Sequence, residues 1–371
     1  MIPVYKPYFP KGSFKYAHEA LRSTWVSSQG KFIRKCEAWL EEALGVKHVL
    51  LTSNGTTAMH LVAKSLKYMY PYLEGILVPN NVYVAAWNAF LYDKEFTLYP
   101  IDANISTWNV DLRKLVDSSD KALAVLFVHN LGNTINVPGL RRFLPEHVFV
   151  EDACESFGGT YHRAIFHAGT ASLCSGMSFF GNKNVTSGEG GAFLTNDGEV
   201  YRYAKKLWGQ GSSDKKFIHD ILGYNYRMTN VAAAILYGQL LIATDIMEMK
   251  IKVFEAYIKA FENIDTISLS RTDQESTHSL WMCGIRIPDS PGYDQAKTYF
   301  DAVGIDTRPM FYPITYHKYL ESYDCDITVA ETLSKECIIL PSYPGLAIEE
   351  DNQKHIIEQV IKYSRKGWEN V

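Results

Sequence analysis

The sequence predicts an α/β protein in which a large, mainly parallel sheet is followed by a smaller C-terminal α/β domain. Three observations carry that expectation. Short apolar runs alternate with helical patterns up to about residue 200, as they do when parallel strands are joined through helices on both faces of a sheet. The stretch Met228–Lys259 is rich in helix formers, includes Ala232-Ala233-Ala234 and has few breakers, so it reads as a long helix linking two domains. After it, a strand, a helix and a second strand follow in quick succession.

In chain order, the expected strands of the large sheet are Val49–Thr52, Ile76–Pro79, Phe96–Ile101, Ala124–Val128, Val148–Glu151 and Ala192–Thr195. Each is a short, nearly continuous apolar run, as a strand buried on both faces requires. Between the first two, Ser53-Asn54-Gly55-Thr56 is a polar turn into a helix whose apolar positions include Met59, Val62 and Ala63. In the second domain, Leu280–Ile287 reads as a strand and Tyr293–Val303 as a helix, and Gly304-Ile305-Asp306-Thr307-Arg308-Pro309 turns toward another strand. The division expected is a large domain over residues 1–250 and a small one over 251–371, rigidly packed, since no repeat, low-complexity segment or flexible linker interrupts the chain.

Composition bounds the function. A chain of 371 residues, 47% hydrophobic and with a formal charge of −4, can bury a large core and has no character of a nucleic-acid binder. The six cysteines, Cys36, Cys154, Cys174, Cys283, Cys325 and Cys337, form no C-x-x-C pair and read as scattered reduced thiols, with no metal expected. The opening Met1-Ile2-Pro3-Val4-Tyr5-Lys6 is not a charged-then-apolar leader, and no apolar run approaches a membrane span. The expectation is a cytoplasmic protein without a membrane partner.

Chemistry concentrates in three segments. In Met177–Gly191, Lys183 lies between the apolar Ser178-Phe179-Phe180 and the glycine-rich Gly188-Glu189-Gly190-Gly191. An amine held away from bulk water keeps its neutral form within reach and can condense with an aldehyde, of which pyridoxal phosphate is the usual one. Most lysines only keep a surface wet, so this one needs company. His147–Glu155 supplies an apolar strand ending in carboxylates, with Asp152 at the carboxyl end, where ligands of open α/β sheets gather. Asp152 there serves either as partner to a protonated ring nitrogen or as a helix cap. In the third segment, the start of the helix at Gly55 and Thr56 offers backbone N–H groups to a phosphate, although an ordinary capped helix start reads the same way.

Together with Gly223-Tyr224-Asn225-Tyr226-Arg227-Met228, these motifs occur in one order in one chain, which resembles the DegT/DnrJ/EryC1/StrS family of sugar aminotransferases. The resemblance runs from Pro3-Val4-Tyr5 and Trp25–Gly30 to Leu340-Pro341-Ser342 and is nearest to perosamine synthase-like members. It implies the aspartate-aminotransferase fold, fold type I, with pyridoxal 5'-phosphate as cofactor. It makes Lys183 the lysine that binds the cofactor and shuttles protons, and Asp152 the partner of the pyridine nitrogen. Glu155 stands beside the cofactor, Tyr83 stacks on its ring, and Gly55, Thr56 and Ser178 hold its phosphate. Asn225 reaches the phosphate bound by a neighbouring subunit, which implies a homodimer with shared active sites. Sugar dehydratases related to this family carry histidine at the lysine position, so Lys183 points to transamination.

The acceptor is less sharply defined. Arg308, Tyr312 and His317 are candidate substrate contacts, with a buried ion pair as the alternative for Arg308. Thr315 stands where relatives often have histidine, and Asn130–Val137 departs from the pattern after His129, which suggests altered recognition of the acceptor. The leading reading is transfer of an amino group, with glutamate as donor, to a nucleotide-linked 4-keto-6-deoxysugar. The alternatives are the same chemistry on another nucleotide sugar or a small phosphorylated ketone, and a non-catalytic regulator of the same fold, which the intact Lys183, Asp152 and Gly188–Gly191 oppose.

Overall fold

A computed structural model describes residues 1–161 and 166–365. The strands are β1 His48–Thr52, β2 Gly75–Pro79, β3 Thr97–Ile101, β4 Ala124–Val128, β5 Val148–Asp152, β6 Thr160–Tyr161, β7 Phe166–His167, β8 Ser175–Ser178, β9 Gly191–Thr195, β10 Ser268–Leu269, β11 Cys283–Arg286, β12 Arg308–Pro309 and β13 Cys337–Leu340. Seven of them form one sheet in the order β1-β9-β8-β5-β4-β2-β3. Its parallel pairs are β2 with β3 and β4, β4 with β5, and β5 with β8. Strand β9 alone runs against the rest, antiparallel to β1 and to β8. All six expected strands of this sheet are present. The seventh, β8, was not picked out because Ser175-Gly176-Met177-Ser178 is too polar for a buried-strand pattern. It is buried along its whole length all the same.

Helices cover both faces. Leu50, Val62, Leu66, Trp87 and Phe90 pack on one side, and Leu51, Leu40, Leu194 and Ile246 on the other. The second sheet, β10-β11-β13-β12, is antiparallel and packs on Val253, Tyr257, Phe300 and Ile356. The N-terminal segment joins this second unit, with Ile2 bridging Ile305 and the Val4 amide donating to Asp306 at 3.1 Å.

Two expected elements differ. Met228–Lys259 is not one helix but two, Asn230–Leu240 and Ala243–Phe261, bent by 61°. Neither is long and apolar enough by itself to cross a membrane. The first helix is capped by the Thr229 hydroxyl, which accepts from Ala232 N–H. The expected strand Leu280–Ile287 is ordered as strand only over Cys283–Arg286, because Leu280 adopts a positive φ of 60° and the residues before Cys283 leave the ladder.

Candidate functional site

The carboxyl ends of β4, β5 and β8 meet the start of the Gly55–Met69 helix around a cavity of about 600 Å³. Gly55, Thr56, Tyr83, Asp152, Glu155, Ser178, Lys183, Arg308, Tyr312 and His317 all line it. Ten of the eleven site residues expected from sequence therefore share one space. The eleventh, Asn225, is exposed on a separate loop, where its Oδ1 accepts from Arg227 Nε at 3.1 Å.

The cradle is built by close packing. Asn54 caps the helix with its side chain, accepting from Thr57 N–H at 2.9 Å, which leaves the Gly55 and Thr56 amides at the positive helix end to face the cavity. A Cβ at position 55 would stand 2.8 Å from Ser178 Cβ and 3.0 Å from Cys154 Sγ, so only glycine allows β8 and the helix start to approach. Gly191 is equally constrained, since a Cβ there would lie 2.5 Å from the Asn54 carbonyl oxygen.

The neighbouring carboxylates of β5 face opposite ways, as strand alternation demands. Glu151 is fully buried away from the cavity and accepts from Tyr161 OH at 3.1 Å, Gly169 N–H at 3.0 Å and His129 Nε2 at 3.0 Å. His129 Nδ1 accepts the Ile135 amide at 3.1 Å, so the proton sits on Nε2. Burial works against the charge of Glu151, but these hydrogen bonds outweigh it and hold its pKa below the ordinary value. Asp152 points into the cavity, with Oδ1 accepting from Cys154 N–H at 3.0 Å. Burial raises its pKa, opposed by that hydrogen bond and by the charge of Lys183. A cationic ring nitrogen beside it would favour the ionised form.

Lys183 lies in the loop between β8 and β9, with its Nζ 3.8 Å from Glu155 Oε1 and 3.7 Å from the centroid of the Trp281 ring. Burial pushes Glu155 up to about 7, against the attraction of Lys183 and a 2.8 Å hydrogen bond from Leu131 N–H. The backbone of Lys183 is held by Tyr5, whose hydroxyl donates to its carbonyl at 2.8 Å, and Trp281 Nε1 donates to the preceding Asn182 carbonyl at 2.7 Å. Sequence reasoning missed Tyr5 and Trp281 as parts of the site. The aromatic types were visible, but nothing local to Lys183 points to residues so far along the chain.

At the mouth, Tyr83 is 62% exposed and its ring lies 6.3 Å from that of Phe311. Arg308 is exposed and, among the described residues, makes no salt bridge, so it is not held in a buried ion pair there. His317 lines the cavity edge-on to Trp87 at 5.5 Å, whereas Thr315 does not line it. The segment Asn130–Val137 also differs from expectation. Asn130 donates to the Asn81 and Trp108 carbonyls, both at 3.0 Å, and Asn133 donates to the Thr107 and Arg271 carbonyls at 2.8 and 3.0 Å. Their amide nitrogens are directed to backbone carbonyls, neither residue lines the cavity, and between them the Leu131 amide donates to Glu155.

An amine beside a carboxylate, a second carboxylate at a strand end and a glycine-gated helix start meet the needs of pyridoxal phosphate. The cofactor requires a Schiff-base lysine, an anionic partner for its ring nitrogen and N–H donors for its phosphate.

Comparison with known proteins places this arrangement. The chain is 33% identical over 356 residues to the GDP-perosamine synthase of Escherichia coli O157:H7, covering 94% of this chain and 95% of that one. It is 31% identical over 376 residues to the GDP-perosamine synthase of Vibrio cholerae, covering 98% and 99%. In fold it superposes on Helicobacter pylori PseC, an aminotransferase involved in the biosynthesis of pseudoaminic acid, with a TM-score of 0.89, 22% identity and coverage of 99% and 100%. It also superposes on the Escherichia coli GDP-4-keto-6-deoxy-D-mannose-3-dehydratase with bound hydrated PLP, at a TM-score of 0.88, 22% identity and coverage of 96% and 99%. The model of the DegT/DnrJ/EryC1/StrS aminotransferase family matches residues 10–361, and with that match and these relatives the chain belongs to this family of pyridoxal phosphate-dependent aminotransferases.

Proposed function

We propose that this enzyme transfers an amino group from glutamate to the keto carbon of a nucleotide-linked 4-keto-6-deoxysugar, as a cytoplasmic homodimer. The observation that carries the acceptor is the mouth of the cavity. An exposed Arg308 guanidinium, without an ion-pair partner among the described residues, stands there with the aromatic Tyr83, Phe311 and Tyr312, a setting suited to a pyrophosphate and a sugar or base face. The similarity to two GDP-perosamine synthases supports the same class.

Bound pyridoxal phosphate supplies the electron sink that stabilises charge at the substrate carbon. In this reading the Gly55 and Thr56 amides with the Ser178 hydroxyl would hold its phosphate, Tyr83 would cover its ring, and Asp152 would favour a protonated ring nitrogen. Lys183 Nζ would be its point of covalent attachment and is the amine placed to carry a proton at the reacting carbon. Glu155 sits 3.8 Å from that nitrogen and is balanced near neutrality, so it can hold or release the proton that Lys183 exchanges. The Trp281 face covers the amine and excludes water from that side. Asn225 reaches the phosphate of the other subunit, which accounts for its position outside its own cavity. We read residues 1–250, apart from the N-terminal segment at Ile2 and Val4 that joins the second unit, as the cofactor-binding domain and 251–371 as the smaller domain that brings Arg308 to the mouth.

The test is product mass spectrometry on a panel of keto-sugar nucleotides with glutamate. Remote contacts with the nucleotide position the ketone, so the free sugar should react far more slowly than its conjugate, with kcat as well as KM impaired. Activity on a small phosphorylated ketone exceeding that on every nucleotide sugar would overturn the acceptor assignment.

A further inference from the structure

Lys250 is fully buried, and among the described residues the polar contacts of its amine are two backbone carbonyls. It lies on the Ala243–Phe261 helix, and its Nζ donates to the Trp281 carbonyl at 2.8 Å and to the Ser342 carbonyl. The Tyr5 and Phe254 rings lie 5.3 and 5.4 Å away. Among the described residues no carboxylate pairs with it, and burial pushes it down to about 7. Enclosing a cation without a counter-ion is expensive, and an apolar side chain of the same length would fill the space at less cost. Such an exception next to a reactive centre points to a positional task.

The register shows what that task is. Strands β11 and β13 pair Cys283 with Leu340, so an unbroken ladder would set Trp281 opposite Ser342. The ladder stops first. Pro341 has no N–H to offer, the Cys283 amide donates instead to Ser342 Oγ at 2.8 Å, and the Met282 amide turns to the Leu131 carbonyl at 3.4 Å. The strands splay, and the carbonyls of Trp281 and Ser342 are left without strand partners. Lys250 stands between them, while Tyr257, two turns further along the same helix face, donates to the Pro341 carbonyl at 2.7 Å. With its carbonyl fixed in this way, Trp281 leaves the sheet and lays its indole over Lys183 Nζ at 3.7 Å.

We propose that Lys250 is a positioning residue that wedges the end of the second sheet open and so holds Trp281 as the cover of the Lys183 amine. It rests on Lys183 being the reactive amine of the proposed aminotransferase, but not on the acceptor. Lys250→Met keeps an unbranched side chain, one atom shorter, and removes the donors. Lys250→Gln keeps an NH2 donor group on a shorter side chain and serves if the methionine variant does not fold.

The experiment measures how fast Lys183 is modified by an amine-directed acylating reagent in cofactor-free enzyme, read by peptide mass spectrometry at one pH, alongside thermal melts. Because no substrate or cofactor enters, failure of the acceptor assignment leaves this readout unaffected. Lys250→Met is expected to label Lys183 roughly fivefold faster than wild type, equivalent to about 1 kcal/mol of lost protection. Lys250→Gln should fall between the two. Trp281→Phe should raise the rate similarly, and the double variant should label no faster than Trp281→Phe alone, because Lys250 acts through that indole. Labelling at the wild-type rate in a folded Lys250 variant, or effects of Lys250→Met and Trp281→Phe that multiply in the double variant, would overturn the proposal.

Discussion

Glu155 offers a test of the site's electrostatics that is independent of turnover. Burial, with the Asp152 charge nearby, carries its carboxyl from 4.5 to about 7, against the Lys183 amine and the Leu131 N–H. At about 1.4 kcal/mol per unit of pKa, this corresponds to about 3 kcal/mol. The sign follows from proton counting. Below the unfolded pKa both states are protonated and nothing is lost. Between the two values the folded state keeps a proton that the unfolded chain has released, so stability falls as pH rises through this window. Above the folded pKa the full penalty applies. Glu155→Gln keeps the shape and an acceptor for the Leu131 amide but never ionises. Urea unfolding of both proteins without cofactor, at about pH 4.5 and about pH 8, gives their stability difference from the midpoints. Groups not coupled to position 155, including Lys250, cancel in this comparison. The variant should gain about 3 kcal/mol relative to wild type between the lower and the higher pH. A difference flat to within about 0.5 kcal/mol would mean that Glu155 titrates normally and that Lys183 compensates its burial completely.

Other predictions concern the same residues. Lys183→Ala should abolish both turnover and the borohydride-reducible link between protein and cofactor, and a reducible adduct at another lysine would reassign the role. Asp152→Asn should leave the fold intact yet slow the proton-transfer half-reaction by about 10²-fold or more. A change within about threefold, under about 1 kcal/mol, would reduce Asp152 to a cap of the Cys154 amide. If Asn225 serves the partner's phosphate, mixing inactive Lys183→Ala and Asn225→Ala proteins and letting subunits exchange should restore part of the activity, because a hybrid dimer carries one site free of both lesions. A fully active monomer in sedimentation would exclude that shared site.

By itself the sequence determined the class of the large sheet and the chemical anchors. Continuous apolar runs specify strands buried on both faces, and Asp152, Gly55, Thr56 and Lys183 sit in short motifs whose local geometry is set by their immediate neighbours. The sequence placed Asp152 at the carboxyl end of its strand, and the fold added that Glu151 faces the other way into the core. The tertiary structure alone decided what surrounds the amine. Tyr5, Trp281 and Lys250 come from distant segments, and Tyr5 and Lys250 act on backbone carbonyls, which leave no signature in a side-chain pattern. It also showed that Asn130 and Asn133 direct their amide nitrogens to backbone carbonyls outside the cavity lining, which in sequence look the same as amides that line a pocket. The bend between Leu240 and Ala243 and the early end of the β11 ladder belong to the same class. They arise from packing between elements, and local propensity does not encode it.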